Sequence, residues 1–127
     1  MKFLLDTHTL LWFFDDSPSL PDSIAAIIEN SDAQKFISVA SLWEFAIKHS
    51  LGKLRFEGGI TAFWKMATAN GFTILQIREP YLSRLRHLPF LHRDPFDRLM
   101  IASAIVEDMT ILTADENIQQ YDVKWAW

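Results

Sequence analysis

Five short apolar runs of β-favouring residues recur along the chain, at residues 2–5, 35–39, 72–77, 109–113 and 122–125. Segments of helical period, at residues 23–29, 41–50, 60–69, 79–85 and 96–106, lie between them. This alternation leaves few folds open. Consecutive strands separated by helices cannot form hairpins, so they pair side by side through helical crossovers. The expectation is one α/β domain over residues 1–127, a mostly parallel central sheet of about five strands flanked by helices. In such a sheet every strand ends at the same edge, and the residues just after strand C-termini gather there from distant parts of the chain.

Length and composition agree with that picture. A chain of 127 residues buries roughly two-thirds of the surface its unfolded form exposes, enough for a core without staples. With no cysteine, both disulfides and thiolate metal sites are excluded. Asp6 and His8 interrupt the apolar N-terminus, and residues 9–14 are too few to cross a bilayer. The reading is therefore a soluble cytoplasmic protein with no membrane partner. A net charge of −4 argues against indiscriminate nucleic-acid binding, which depends on many Lys and Arg contacts to phosphate.

Four acids fall at the expected sheet edge. Asp6 follows the first run, Glu44 lies in the first turn of the helix after residues 35–39, Asp97 opens the helix of residues 96–106, and Asp115 follows the fourth run. Each has a second explanation as a helix cap. Asp6 caps a helix starting at Thr7; Ser41-Leu42-Trp43-Glu44 and Thr113-Ala114-Asp115-Glu116 have capping-box spacing; and Asp94-Pro95-Phe96-Asp97 sets a cap, an N1 proline and a dipole-favoured acid in order. Together, however, four carboxylates at one edge repel unless a positive group sits among them, and no Lys or Arg lies at the strand ends to supply it. An all-oxygen donor set without cysteine or a spaced His pair suits Mg²⁺ or Mn²⁺ before Zn²⁺. Two such ions activate a water and steady the leaving oxygen of a phosphodiester. Capping and metal binding are compatible, with Asp94 mainly a cap, a supporting or direct metal role being its alternative, and Asp97 the better ligand. Thr7 and Thr113 stand beside the acids as hydroxyls able to steady a carboxylate.

The stretches LLDTHTLLW at 4–12, SVASLWEFAIK at 38–48, HRDPFDRLMIASA at 92–104 and LTADENI at 112–118 resemble, in order, the four acidic motifs of PIN-domain nucleases, specifically the toxin subunit of VapBC-type toxin–antitoxin modules. The resemblance spans essentially the whole chain, and DPFDRLMIA is its most specific piece. It implies a catalytic set of Asp6, Glu44, Asp97 and Asp115 that binds one or two Mg²⁺ or Mn²⁺ and hydrolyses RNA. Asp6 and Asp97 would be the most direct ligands, Glu44 would position or deprotonate the attacking water, and Asp115 would hold a second, weaker ion. It also implies a cognate antitoxin and a homodimer. Two other readings stay open: a PIN-fold interaction module that cuts nothing, and a housekeeping RNA-processing nuclease.

Two further features bear on partners. Arg84, Arg86, His87, His92, Arg93 and Arg98 form a positive stretch in an acidic chain, and Arg93 and Arg98 are the candidates for contacting substrate phosphate. Trp12, Phe13 and Phe14 are consecutive on the first helix, so at least one is expected to be exposed or covered by another chain. Phe63 and Trp64 raise the same question.

Overall fold

In the computed structural model, which describes residues 1–127, the chain begins with β1 (Lys2–Leu5), α1 (Thr7–Phe14), α2 (Asp22–Glu29), β2 (Gln34–Ser38), α3 (Val39–Ser50) and α4 (Gly59–Ala69). It continues with β3 (Phe72–Leu75), α5 (Glu79–Leu85), α6 (Pro95–Glu107), β4 (Thr110–Leu112), α7 (Glu116–Gln119) and β5 (Trp125–Ala126). The strands form one sheet in the order β3-β2-β1-β4-β5, and every pairing is parallel. No helix is long and apolar enough to cross a membrane.

Because strand side chains alternate, each face of the sheet has its own core. Phe3 and Leu5 of β1 join Ile37 and Leu112 on one face, under Leu10, Ile24, Phe45 and Phe63 of the helices. Leu4 points the other way, with Ile111, into a cluster with Met100, Ile101, Ile118 and Tyr121. A sheet buried on both faces explains why its strands read as continuous apolar runs.

Boundaries shift where a local cap outcompetes the apolar pattern. The expected capping box at Ser41 is not the start of its helix: Ser38 caps α3, accepting from the Ala40 N–H, and the helix begins at Val39. Glu44 therefore sits in the second turn, not the first. Thr113 likewise does not cap the last helix; Asp115 does, and α7 has only four residues. The final strand lies later than expected, at Trp125–Ala126.

The three consecutive aromatics of α1 correct another expectation. Trp12, Phe13 and Phe14 are all half-buried and all pack on the larger core. C-terminal Trp127 covers Trp12 at 5.6 Å between rings, and Phe14 meets Phe63 edge-on at 5.7 Å. On α4 the two neighbours part. Phe63 is fully buried, stacked 4.4 Å from Phe45 and edge-on to Phe56, whereas Trp64 is 38% exposed. Replacing Phe63 by Ala is expected to destabilise the fold by about 3–5 kcal/mol, and Trp64→Ala by about 1 kcal/mol or less. Urea denaturation of the two variants beside the parent checks this, since similar losses would contradict the placement of the two rings.

Candidate active site

Strand order locates the site. From β1 the chain builds β2 and β3 to one side and later β4 and β5 to the other, so its connections diverge between β1 and β4 and leave a crevice beyond their C-terminal ends. Leu5 pairs with Ile37 on one side and Leu112 on the other. The next residue of each strand, Asp6 on β1, Ser38 on β2 and Thr113 on β4, therefore reaches the rim of that crevice.

Asp6 caps α1 and is held on both oxygens. The Thr9 N–H donates to Oδ1 at 2.8 Å, and the Thr9 hydroxyl lies 2.8 Å from the same oxygen and 2.9 Å from the Leu112 carbonyl, with one proton to give between them. The Thr113 hydroxyl donates to Oδ2 and accepts the Asp115 N–H at 3.0 Å, so one side chain sets the spacing of two acids. Asp115 in turn accepts the Asn117 N–H at 2.9 Å. Thr7 reaches no acid; its hydroxyl donates to the Ser41 carbonyl at 3.4 Å and fastens α1 to α3.

On α6, Asp94 caps the helix by accepting the Asp97 N–H at 3.0 Å, with Pro95 in the first turn. Asp97 then projects from that turn with its Oδ2 3.0 Å from His92 Nε2. Its Oδ1 has no protein donor, and since no buried side-chain oxygen lacks a partner, that oxygen meets solvent.

Burial is what most disturbs these acids. It pushes the Asp97 carboxyl up to about 7; the His92 hydrogen bond opposes the shift, and the charges of Asp94, Asp115 and Glu44 add to it. Glu44 is raised as well, chiefly by burial and further by Asp94, against the pull of Lys48. A cation does reach the acids, from a helix and not from a strand end. Lys48, one helical turn after Glu44, lies 3.3 Å from its Oε2, the i,i+4 spacing that α3 makes available.

The two arginines part company. Arg93 is exposed at the entry to α6. Arg98 is 6% exposed and donates to the Pro89 carbonyl at 2.7 Å, the Tyr121 hydroxyl at 2.9 Å and the Leu88 carbonyl at 3.5 Å, with the Phe90 ring 4.2 Å from its guanidinium. Its guanidinium is turned into the protein and holds the loop before α6, unlike the free surface cation that the positive stretch suggests.

A cavity of about 300 Å³ lies between Asp6, His8, Trp12, Ala114 and Asp115. A wider depression of about 590 Å³, among Asp15, Arg55, Phe56, Glu57, Ala62 and Met66, touches none of the four acids. The donor set suits a hard divalent cation in kind: all four acids present oxygen, and the charges of Asp115 and Glu44, with that of Asp94, help to push the Asp97 carboxyl up. No three acids or histidines converge as a ready coordination shell, so the set fits by chemistry and proximity.

Thr9, Lys48, His92 and Tyr121 are site residues that the reading of the four motifs passes over. Thr9 had a signal, since it stands three residues after an acidic N-cap, where a side chain commonly turns back to the cap. Lys48 had its spacing from Glu44. The His92–Tyr121 contact, 2.8 Å across 29 residues, had none.

A family model described as PIN domain matches residues 3–124. Among solved structures, a chain of the VapBC2 complex from Rickettsia felis bound to a promoter DNA fragment superposes with a TM-score of 0.75 at 14% identity, covering 100% of this chain and 99% of that one. A chain of VapBC-1 from nontypeable Haemophilus influenzae gives 0.68 at 17% identity, covering 99% and 97%. A chain of FitAcB from Neisseria gonorrhoeae gives 0.60 at 16%, covering 97% and 95%. The comparison with curated proteins finds no match. With the family model spanning nearly the full length, the chain belongs to the PIN-domain family.

Proposed function

We propose that this protein is a Mg²⁺- or Mn²⁺-dependent endoribonuclease acting as the toxin of a toxin–antitoxin pair. The observation that carries the reading is the nearness of Asp97 to Glu44, Asp115 and Asp94, whose charges add to its raised pKa, with Asp6 linked to Asp115 through the Thr113 hydroxyl beside the β1–β4 crevice. Asp6 and Asp97 are the residues to hold the ion, Asp97 through the oxygen that no protein group occupies. Asp115, fixed to Asp6 through Thr113, supports a second, weaker position. A bound divalent ion would supply charge neutralisation at the phosphate and a more acidic water. Glu44, with its carboxyl raised, is suited to take the proton from the attacking water as the scissile P–O bond breaks. Exposed Arg93 offers a guanidinium to the RNA backbone.

The antitoxin partner is supported by the nature of the structural neighbours, which come from VapBC and FitAB complexes. Self-association is supported by α3 and the residue that closes it, where Trp43, Ile47 and the C-cap Leu51 recur every fourth residue and remain 61%, 37% and 62% exposed.

Asn caps a helix nearly as well as Asp but is a poorer ligand for a hard cation. Asp6→Asn and Asp97→Asn are therefore expected to melt close to the parent while Mn²⁺-dependent RNA cleavage falls at least about a hundredfold. Retained cleavage in both variants would leave a non-catalytic interaction module as the better reading.

The raised carboxyl of Asp97 gives a second expectation. Between about pH 4 and about pH 7 the folded chain holds a proton on Asp97 that the unfolded chain has released, so this contribution to stability is full at acid pH and is lost as pH rises through that window. Melting of the metal-free protein should show this decline, Asp97→Asn should flatten it, and saturating Mn²⁺ should raise Tm more at the upper end than at the lower. A parent and variant with parallel pH profiles would contradict it.

A further inference from the structure

Asp97 is joined to its own neighbour on α6 by a closed loop of hydrogen bonds. Asp97 Oδ2 meets His92 Nε2 at 3.0 Å, His92 Nδ1 meets the Tyr121 hydroxyl at 2.8 Å, and that hydroxyl accepts Arg98 NH1 at 2.9 Å. Arg98 follows Asp97 directly, so one peptide bond completes the ring. Its members are little exposed: Arg98 6% and Tyr121 4%, with the side chains of His92 and Asp97 at 12% and 15%. The histidine and tyrosine rings also pack edge-on at 5.4 Å.

The chemistry of the donors gives this ring a direction. A guanidinium only donates, so the Tyr121 oxygen accepts from Arg98. The single phenolic proton then has one unoccupied partner within reach, His92 Nδ1. An imidazole that accepts at Nδ1 carries its proton at Nε2, the nitrogen facing Asp97. Resting on the reading of Asp97 as a metal ligand, we propose that Arg98 and Tyr121 are positioning residues that fix His92 as its Nε2–H tautomer, and that His92 thereby clamps one oxygen of Asp97 so that the other is presented to the ion.

The opposite tautomer would set an imidazole lone pair against a carboxylate oxygen and leave the tyrosine proton without a partner in the ring. Arg98 further anchors the loop through Pro89 and Leu88, and Gln120 Nε2 reaches the Leu91 carbonyl at 3.4 Å. The histidine thus arrives at Asp97 on a segment tied down at Leu88, Pro89 and Leu91. The positive stretch before α6 then has two parts: Arg98 and His92 are turned inward to orient an acid, while Arg93 stays outside.

Nitrogen-15 NMR of the imidazole rings distinguishes the tautomers directly and requires no catalysis. In the metal-free parent at mildly alkaline pH, His92 should show a protonated-type Nε2 and an unprotonated-type Nδ1. Tyr121→Phe, which removes only the hydroxyl, should lose that pattern and bind Mn²⁺ about tenfold more weakly by calorimetry. His92→Gln, whose amide can still donate to Asp97, should keep Mn²⁺ affinity within about threefold of the parent, whereas His92→Leu should fall with Tyr121→Phe. An Nδ1–H or doubly protonated ring in the parent overturns the relay, as does a Tyr121→Phe protein with parental tautomer and parental Mn²⁺ affinity. Should the parent take up no Mn²⁺, the nuclease reading fails by itself and the ring spectra alone decide whether the relay exists.

Discussion

Parallel pairing of β1 with both β2 and β4 is the constraint on which the rest depends. It puts Asp6 at the centre of the sheet edge, with the ends of β2 and β4 beside it. Any acid that follows β4, or opens a helix reaching that rim, then comes close to Asp6. The fold accommodates the crowd by giving most of these acids a backbone donor: Asp6, Asp94 and Asp115 all cap helices, where N–H groups and the helix dipole favour negative charge. Asp97 accepts no such N–H, and its carboxyl is the one pushed up to about 7. The acid least reconciled to its surroundings also keeps one oxygen free of any protein donor.

That arrangement links stability to function. An acid that caps a helix is fixed in direction before any ion arrives, so the ordering required on binding is small. Asp6 shows this most fully, with both oxygens engaged by Thr9 and Thr113. The same threonines tie α1, β1 and β4 together, Thr9 through the Leu112 carbonyl and Thr113 through the Asp6 carboxylate. Substitutions at these two positions would disturb packing and site together, whereas Asn in place of Asp6 keeps the cap.

Local chemistry made much of this legible in the sequence. The strand–helix alternation leads to the parallel sheet, and Asp94-Pro95-Phe96-Asp97 reads correctly as cap, N1 and first-turn acid because every interaction lies within four residues. Errors arose where a nearer cap displaced the expected one, as Ser38 did for α3, or where a partner lay far along the chain, as Tyr121 does from His92. Arg98 is the instructive case. Its place in a positive stretch suggested a phosphate contact, yet it shares a helical face with Ile101 and Ala102 at three and four residues' distance, both fully buried. Periodicity assigns it inward; charge alone assigned it outward. The consecutive aromatics of α1 went the other way, since Trp127 supplies a cover that no pattern within α1 could announce.

The central claim is that this rim of acids is a place for a divalent cation. Anomalous diffraction from crystals soaked in Mn²⁺ tests it most directly, because the signal reports position as well as presence. A peak within coordinating distance of Asp97 Oδ1 and of the Asp6 carboxylate is the expected result. A map without a peak among the four acids, from crystals in which Mn²⁺ is bound elsewhere, would contradict it.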